Sequence, residues 1–123
     1  MHTMLIADDD PNLLEIVQVF LTRVGYEVIT AADGIEAWYL INIHSPDLLI
    51  LDDMMPGMSG SEICQRVKTD SYLHKTPVIM HTANPKFSEK SYLQQMKADA
   101  LLTKPSFSQE IVDTVAHWLA TTA

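Results

Sequence analysis

The chain has 123 residues, of which 47% are hydrophobic and 20% charged, a balance that suits one folded globular domain rather than a disordered chain. Sixteen acids against eight Lys and Arg give a formal charge of −8, which opposes direct contact with a nucleic-acid backbone, since that is bound through clustered Lys and Arg. Cys64 is the one cysteine, so no internal disulfide forms. The N-terminus has no basic segment followed by a long apolar stretch, and no apolar run approaches 18 residues; these features point to a cytoplasmic protein without a membrane span.

In chain order, the first apolar run is Met4–Ala7. Asp10 then stands as an N-cap and Pro11 at the first helical position, and Leu13, Ile16, Val17, Phe20, Leu21 and Val24 follow at helical spacing. Gly25 sits where a helix-ending glycine belongs. A weaker apolar run at Tyr26–Thr30 precedes a helical stretch at Ile35–His44. Leu48–Leu51 is the third run, with a helix expected over Gly60–Thr69, where Cys64 reads as a buried structural thiol. Pro77–Met80 and a helical stretch around Phe87–Lys97 follow, then Ala100–Leu102. Ser108 is a candidate cap for a last helix with Ile111, Val112, Val115, Trp118 and Leu119 along one stripe, the last two read as core.

Continuous apolar runs, rather than strict alternation, fit strands covered on both faces. Five strand–helix units therefore predict an α/β protein with an open parallel sheet and helices on both sides. In such sheets chemistry gathers beyond the carboxyl ends of the strands, at the topological switch point.

Polar residues fall at those ends. Asp8, Asp9 and Asp10 follow the first run; Asp52 and Asp53 follow the third; Thr82 ends the fourth; Lys104, followed by Pro105, ends the fifth. Each has an ordinary reading when taken singly: turn and cap residues, a solvated lysine, a β-branched strand residue. Asp10 before Pro11 is a cap on either view. Their arrival at four successive strand ends is the informative fact. Carboxylates brought together repel one another unless a cation sits among them, and an oxygen-only ligand set suits a hard ion such as Mg²⁺. No His/Cys cluster supports zinc, and the histidines at 2, 44, 74, 81 and 117 are scattered and read mostly as surface residues. A carboxylate, a metal, a lysine and a hydroxyl together match the needs of phosphoryl transfer. On the residues alone, Asp52 or Asp53 could be the acceptor, because strand side chains alternate and only one can face the acidic pair.

The sequence resembles the response-regulator receiver family over essentially its whole length. The likeness is carried by Ala-Asp-Asp-Asp-Pro at 7–11, Ala-Ala-Asp-Gly at 31–34, Pro-Asp-Leu-Leu-Ile-Leu-Asp-Asp-Met-Met-Pro-Gly-Met-Ser-Gly at 46–60, Pro-Val-Ile-Met-His-Thr-Ala at 77–83 and Thr-Lys-Pro at 103–105. It implies a single receiver domain over 1–123 with a three-layer, doubly wound (βα)5 flavodoxin-like fold and strand order 2-1-3-4-5. It also implies that Asp52 is the phospho-acceptor, leaving Asp53 a solvated neighbour. Asp8 and Asp9, with Asp52 and the backbone carbonyl of Met54, would hold Mg²⁺. Thr82 and Lys104 would contact the phosphoryl group, and the Lys104–Pro105 bond would be cis. The upstream partner would be a sensor histidine kinase or a phosphotransfer protein, the output an unidentified partner or tethered effector, and turnover limited to self-phosphorylation and slow self-dephosphorylation.

Two positions depart from the family pattern. Leu101 stands where receivers usually carry Tyr or Phe coupled to the threonine. From residue 106 onward there is no Lys or Arg, so the basic half of the salt-bridged dimer face of receivers with winged-helix DNA-binding domains is missing. The expectation is a monomer, or a dimer through a different, more apolar contact. Two competing readings are an interaction module no longer regulated by phosphorylation, and a Mg²⁺-dependent phosphatase with an aspartate nucleophile. The latter wants a carboxylate two residues after the nucleophile, where this chain has Met54.

Overall fold

Local sequence sets the helix boundaries. In a computed structural model, which describes residues 1–83, 89–106 and 108–120, helix α1 spans Pro11–Val24. The Asp10 carboxylate accepts hydrogen bonds from the N–H groups of Asn12 (3.0 Å) and Leu13 (3.4 Å), filling donors that no helical carbonyl can reach. Gly25 ends the helix at φ +112°, a left-handed conformation that glycine adopts without steric cost. Asp33 caps α2 (Gly34–His44) by accepting from Glu36 N–H at 2.8 Å, and Ser59 caps α3 (Gly60–Thr69) by accepting from Glu62 N–H at 3.1 Å. Helices α4 (Glu89–Met96) and α5 (Ser108–Ala120) complete the set. Ser108 is the first residue of α5 rather than the cap before it, and the expected start of α4 at Phe87 lies outside the described residues.

Strands β1 (Thr3–Ala7), β2 (Glu27–Ala31), β3 (Leu48–Leu51), β4 (Val78–Thr82) and β5 (Ala100–Thr103) form one parallel sheet in the order β2-β1-β3-β4-β5. This is the flavodoxin-like arrangement expected from the sequence. The fourth strand ends at Thr82, as expected, where Thr82 still pairs with Thr103 on β5.

Alternation along the strands divides the core into two layers. On one face Leu5, Leu49, Leu51, Val78 and Met80 pack with Ile41 of α2, Ile63, Cys64 and Val67 of α3, and Tyr92 of α4. On the other, Met4, Ile6, Leu48, Ile50, Ile79 and Leu102 pack with Leu14, Val17 and Leu21 of α1 and Ile111, Val115 and Leu119 of α5. Cys64 is buried, and burial pushes its thiol up to about 11, so it is a structural residue and not a nucleophile. At the N-terminal end of the sheet, Lys68 Nζ lies 2.6 Å from Asp99 Oδ2 and donates to Thr76 O at 2.8 Å, tying α3 to the entries of β4 and β5.

The chain reverses direction across the sheet between β1 and β3, with β2 on one side and β4 on the other. That places the loops after β1 and β3 side by side at the switch point.

Candidate functional site

Backbone hydrogen bonds fix the start of each loop against the neighbouring strand. Asp52 N–H donates to Ala7 O at 2.9 Å, and Asp8 N–H donates to Ala31 O at 3.1 Å. Asp8 and Asp52 therefore leave adjacent strands at the same level, 2% and 4% exposed. Asp9 projects next to them and is exposed. One carboxylate oxygen from each of Asp8, Asp9 and Asp52 lies within 4.8 Å of the others, a set of hard oxygen donors close enough to share one cation.

Lysine enters from the fifth strand. Lys104 N–H donates to Thr82 O at 2.8 Å, and the Lys104–Pro105 peptide is cis, as the family likeness implies. The Lys104 ammonium sits 2.6 Å from Asp8 Oδ2 and 3.6 Å from Asp52 Oδ2. Thr82 is 5% exposed at the end of β4 on the Met80 face, and Leu51 pairs with Met80, so Thr82 stands just past the β3 terminus that carries Asp52. Met54 is 76% exposed, and its N–H donates to Asp52 Oδ1 at 3.3 Å.

Burial, and then the charge of Asp8, raise the Asp52 carboxyl above its ordinary range; Lys104 and the Met54 N–H oppose the shift without cancelling it. One lysine is thus an incomplete answer to three clustered carboxylates.

Asp53 is not the solvated neighbour expected from sequence. Its Oδ1 accepts from Ser61 N–H at 3.0 Å and from the Ser61 hydroxyl in a very short contact, and its carbonyl accepts from Gly60 N–H at 3.2 Å. Asp53 therefore anchors the first turn of α3, where its negative charge also suits the helix dipole. Gly60 lies so close that a Cβ there would stand 2.3 Å from the Asp52 carbonyl oxygen, so the helix seats directly on the Asp52 backbone. A carboxylate and a serine eight residues apart give no periodic signal, which is why the sequence does not show this contact.

His81 also departs from the surface reading: it is 4% exposed, on the α1/α5 face of β4. Burial first, and the Lys104 cation second, push it down to about 4, so it is neutral at neutral pH. A strand covered on both faces has no surface position, and that rule, applied to residue 81, would have found it. Leu101 is half-buried against the α2/α3/α4 cluster. An open cleft of about 690 Å³ is lined by His2, Tyr26, Asp47 and Pro77 among others, at the N-terminal strand ends and away from Asp52.

The family described as "Response regulator receiver domain" matches residues 4–116. The chain belongs to the response regulator receiver family. Among curated relatives, response regulator GtcR of Aneurinibacillus migulanus is 39% identical over 84% of this chain and 41% of its own length. The DNA-binding dual master transcriptional regulator RpaA of Synechocystis sp. is 37% identical over 99% of this chain and 51% of its own length. The receiver thus spans about half the length of these relatives or less. Among solved structures, Vibrio cholerae chemotaxis protein CheY4 is 32% identical with a TM-score of 0.87, covering 95% of this chain and 98% of that one. The Francisella response regulator 1452 receiver domain is 27% identical with a TM-score of 0.90, and each chain is covered in full. This is a receiver of the two-component response-regulator type, and among the described residues no helix is long and apolar enough to cross a membrane.

Proposed function

We propose that this receiver accepts a phosphoryl group on Asp52 from a phosphohistidine of a sensor histidine kinase or phosphotransfer protein, and that the modified site changes what the domain binds. The observation that carries this reading is the placement of Lys104 2.6 Å from Asp8 and 3.6 Å from Asp52 within a buried acidic group. In the transfer, an Asp52 carboxylate oxygen forms an O–P bond as the N–P bond to the donor imidazole breaks, and that imidazole leaves with a proton. Lys104 neutralises negative charge on the phosphoryl oxygens, and Thr82 supplies a hydroxyl that hydrogen-bonds one of them. The Met54 N–H, already aimed at the Asp52 carboxylate, holds its orientation.

The donor set fits Mg²⁺: three carboxylates from Asp8, Asp9 and Asp52, with the Met54 carbonyl as a fourth oxygen and water filling the rest. When bound, the ion supplies the positive charge that Lys104 alone does not, lowering the cost of bringing a phosphoryl group onto a carboxylate. Output passes to a protein partner or a tethered effector, because a domain of net charge −8 is a poor nucleic-acid ligand in its own right.

Incubation with Mg²⁺ and a small phosphodonor should add one phosphoryl group to the wild type, read by intact mass, and none to Asp52→Asn. Equal labelling of the two proteins would remove Asp52 from the role. Labelling that persists undiminished in a chelator would remove the metal.

A further inference from the structure

Helix α2 is apolar on its outer as well as its inner face. Ala37 and Ile41 are buried in the core, and Trp38 and Leu40 are half-buried against it. Ile35, Tyr39 and Ile43 point the other way and are 64%, 64% and 54% exposed. A helix apolar on both faces is ordinarily covered on both. A single exposed apolar residue is commonplace, but these three follow one another at four-residue spacing. They form one stripe that runs about 12 Å along the helix.

The stripe opens into a hollow of about 590 Å³, lined by Asp33, Ile35, Glu36 and Tyr39 together with Pro56 and Gly57 of the β3–α3 loop. The Pro56 carbonyl accepts from Gly34 N–H at 3.1 Å, which ties the loop to the first turn of α2. A Cβ at Gly57 would stand 3.0 Å from Ile35 Cγ1, so loop and helix already touch and the hollow is preformed. Its charge is acidic and uncompensated. There is no Lys or Arg from Val24 to Gln65. Neither Asp33 nor Glu36 forms an ion pair among the described residues, and Arg66 of α3 lies over Trp38 and pairs with Glu62 instead.

We propose that the outer face of α2 is a docking surface for an amphipathic helix of another protein, one with apolar side chains at four-residue spacing and Lys or Arg along its margin. The apolar side chains of that helix fill the hollow and cover Ile35, Tyr39 and Ile43, and its cations meet Asp33 and Glu36. A second copy of this chain is the poorer occupant, because it brings acid toward acid between molecules that each carry −8. A nucleic acid or an anionic membrane is repelled for the same reason. Docking here does not depend on Asp52 being the acceptor.

The test titrates the whole chain with a synthetic helical peptide of Leu, Ala and Lys, about 20 residues long so that it holds its helix, with Leu at four-residue spacing and Lys beside it. Amide chemical shifts are followed by NMR. The peptide should bind at about 100 µM or tighter, with the changes centred on residues 33–43 and 56–57. The double variant Ile35→Ala, Tyr39→Ala should bind about tenfold more weakly and melt close to the wild-type temperature, since both side chains are exposed. Ile16→Ala, at an exposed apolar position of α1, should bind as the wild type does. A peptide with Glu in place of Lys should bind at least tenfold more weakly. No binding, changes centred elsewhere, undiminished affinity in the double variant, or equal binding of the acidic peptide each overturn the inference. So does a double variant that melts many degrees lower, because the stripe would then be part of the core. Sedimentation of the protein alone should show a monomer; a dimer that the double variant dissolves gives the face to a second copy and overturns the choice of partner. Phosphodonor labelling at Asp52 should be equal in all these proteins, and its failure would leave the peptide result standing.

Discussion

The Lys104 ammonium sits 2.6 Å from Asp8 Oδ2, closer than to the carboxylate of Asp52 at 3.6 Å. A cation held by the proposed Asp8, Asp9 and Asp52 carboxylates would therefore compete with the lysine for the same buried oxygen. Lys104→Met should bind Mg²⁺ several-fold more tightly, because removing a positive charge next to the site favours another cation. With Lys104 in the proposed role of neutralising the phosphoryl oxygens, the same variant should accept a phosphoryl group at least tenfold more slowly. Calorimetric titration with Mg²⁺ and a time course of phosphodonor labelling read the two effects separately. Weaker Mg²⁺ binding in Lys104→Met would show that lysine organises the carboxylates rather than competing with the ion.

Asp52 is held at a cost. Burial and Asp8 raise its carboxyl, so in the absence of metal the folded state binds its proton more tightly than the unfolded chain does. The folded state is then destabilised as pH rises from the unfolded value near 3.8 through the higher folded one, and at neutral pH the full cost is present. Asp52→Asn removes the charge while keeping the shape. In a chelator at pH 7 it should melt about 3 °C or more above the wild type, and the gap should close as pH falls toward 4. A variant that melts lower at pH 7 would mean that Asp52 is stabilised by its lysine more than it is penalised by burial.

His81 gives the opposite slope. Its folded value, down to about 4, lies below the ordinary 6.5, so the unfolded state takes up a proton first as the solution is acidified. Stability contributed by the neutral imidazole is complete above pH 6.5 and is lost as pH falls toward 4, a loss of the order of 3 kcal/mol over that window. His81→Leu, matched to the β4 face that already carries Ile79, should flatten this part of the curve. Urea melts from pH 7 to pH 4 in both proteins provide the check, and parallel curves would place the acid sensitivity elsewhere, with the carboxylates.

The sequence was most informative where chemistry depends on a strand end. Five apolar runs and their helical partners are enough to place Asp8, Asp52, Thr82 and Lys104 at one edge, because strand termini are sharp and parallel order brings them together. Helix α1 was legible to the residue, since Asp10, Pro11 and Gly25 each act locally. What escaped depends on contacts distant in the chain. Asp53 as the anchor of Ser61 needs the β3–α3 loop to fold back on itself, and Asp99 as the partner of Lys68 spans 31 residues. That the buried Tyr92 hydroxyl has no hydrogen-bond partner among the described residues is a property of what surrounds it, and no pattern along the chain marks it.

The seating of α3 on the strand end that carries Asp52 supplies the last prediction. A Cβ at Gly60 would meet the Asp52 carbonyl oxygen at 2.3 Å and its carbon at 2.9 Å, both backbone atoms that no side-chain rotation can clear. Gly60→Ala must therefore push the helix or Asp52 out of place. It should cost about 1–3 kcal/mol of stability and slow phosphodonor labelling by tenfold or more, since sub-ångström placement governs the attack. Gly25→Ala is the matched control: its φ of +112° strains an alanine, yet nothing lies within 4 Å of the added carbon and the turn is remote from the site. That variant should lose comparable stability and label at the wild-type rate. If both variants label alike, the effect at Gly60 is on stability alone, and the contact between α3 and Asp52 has no part in the chemistry.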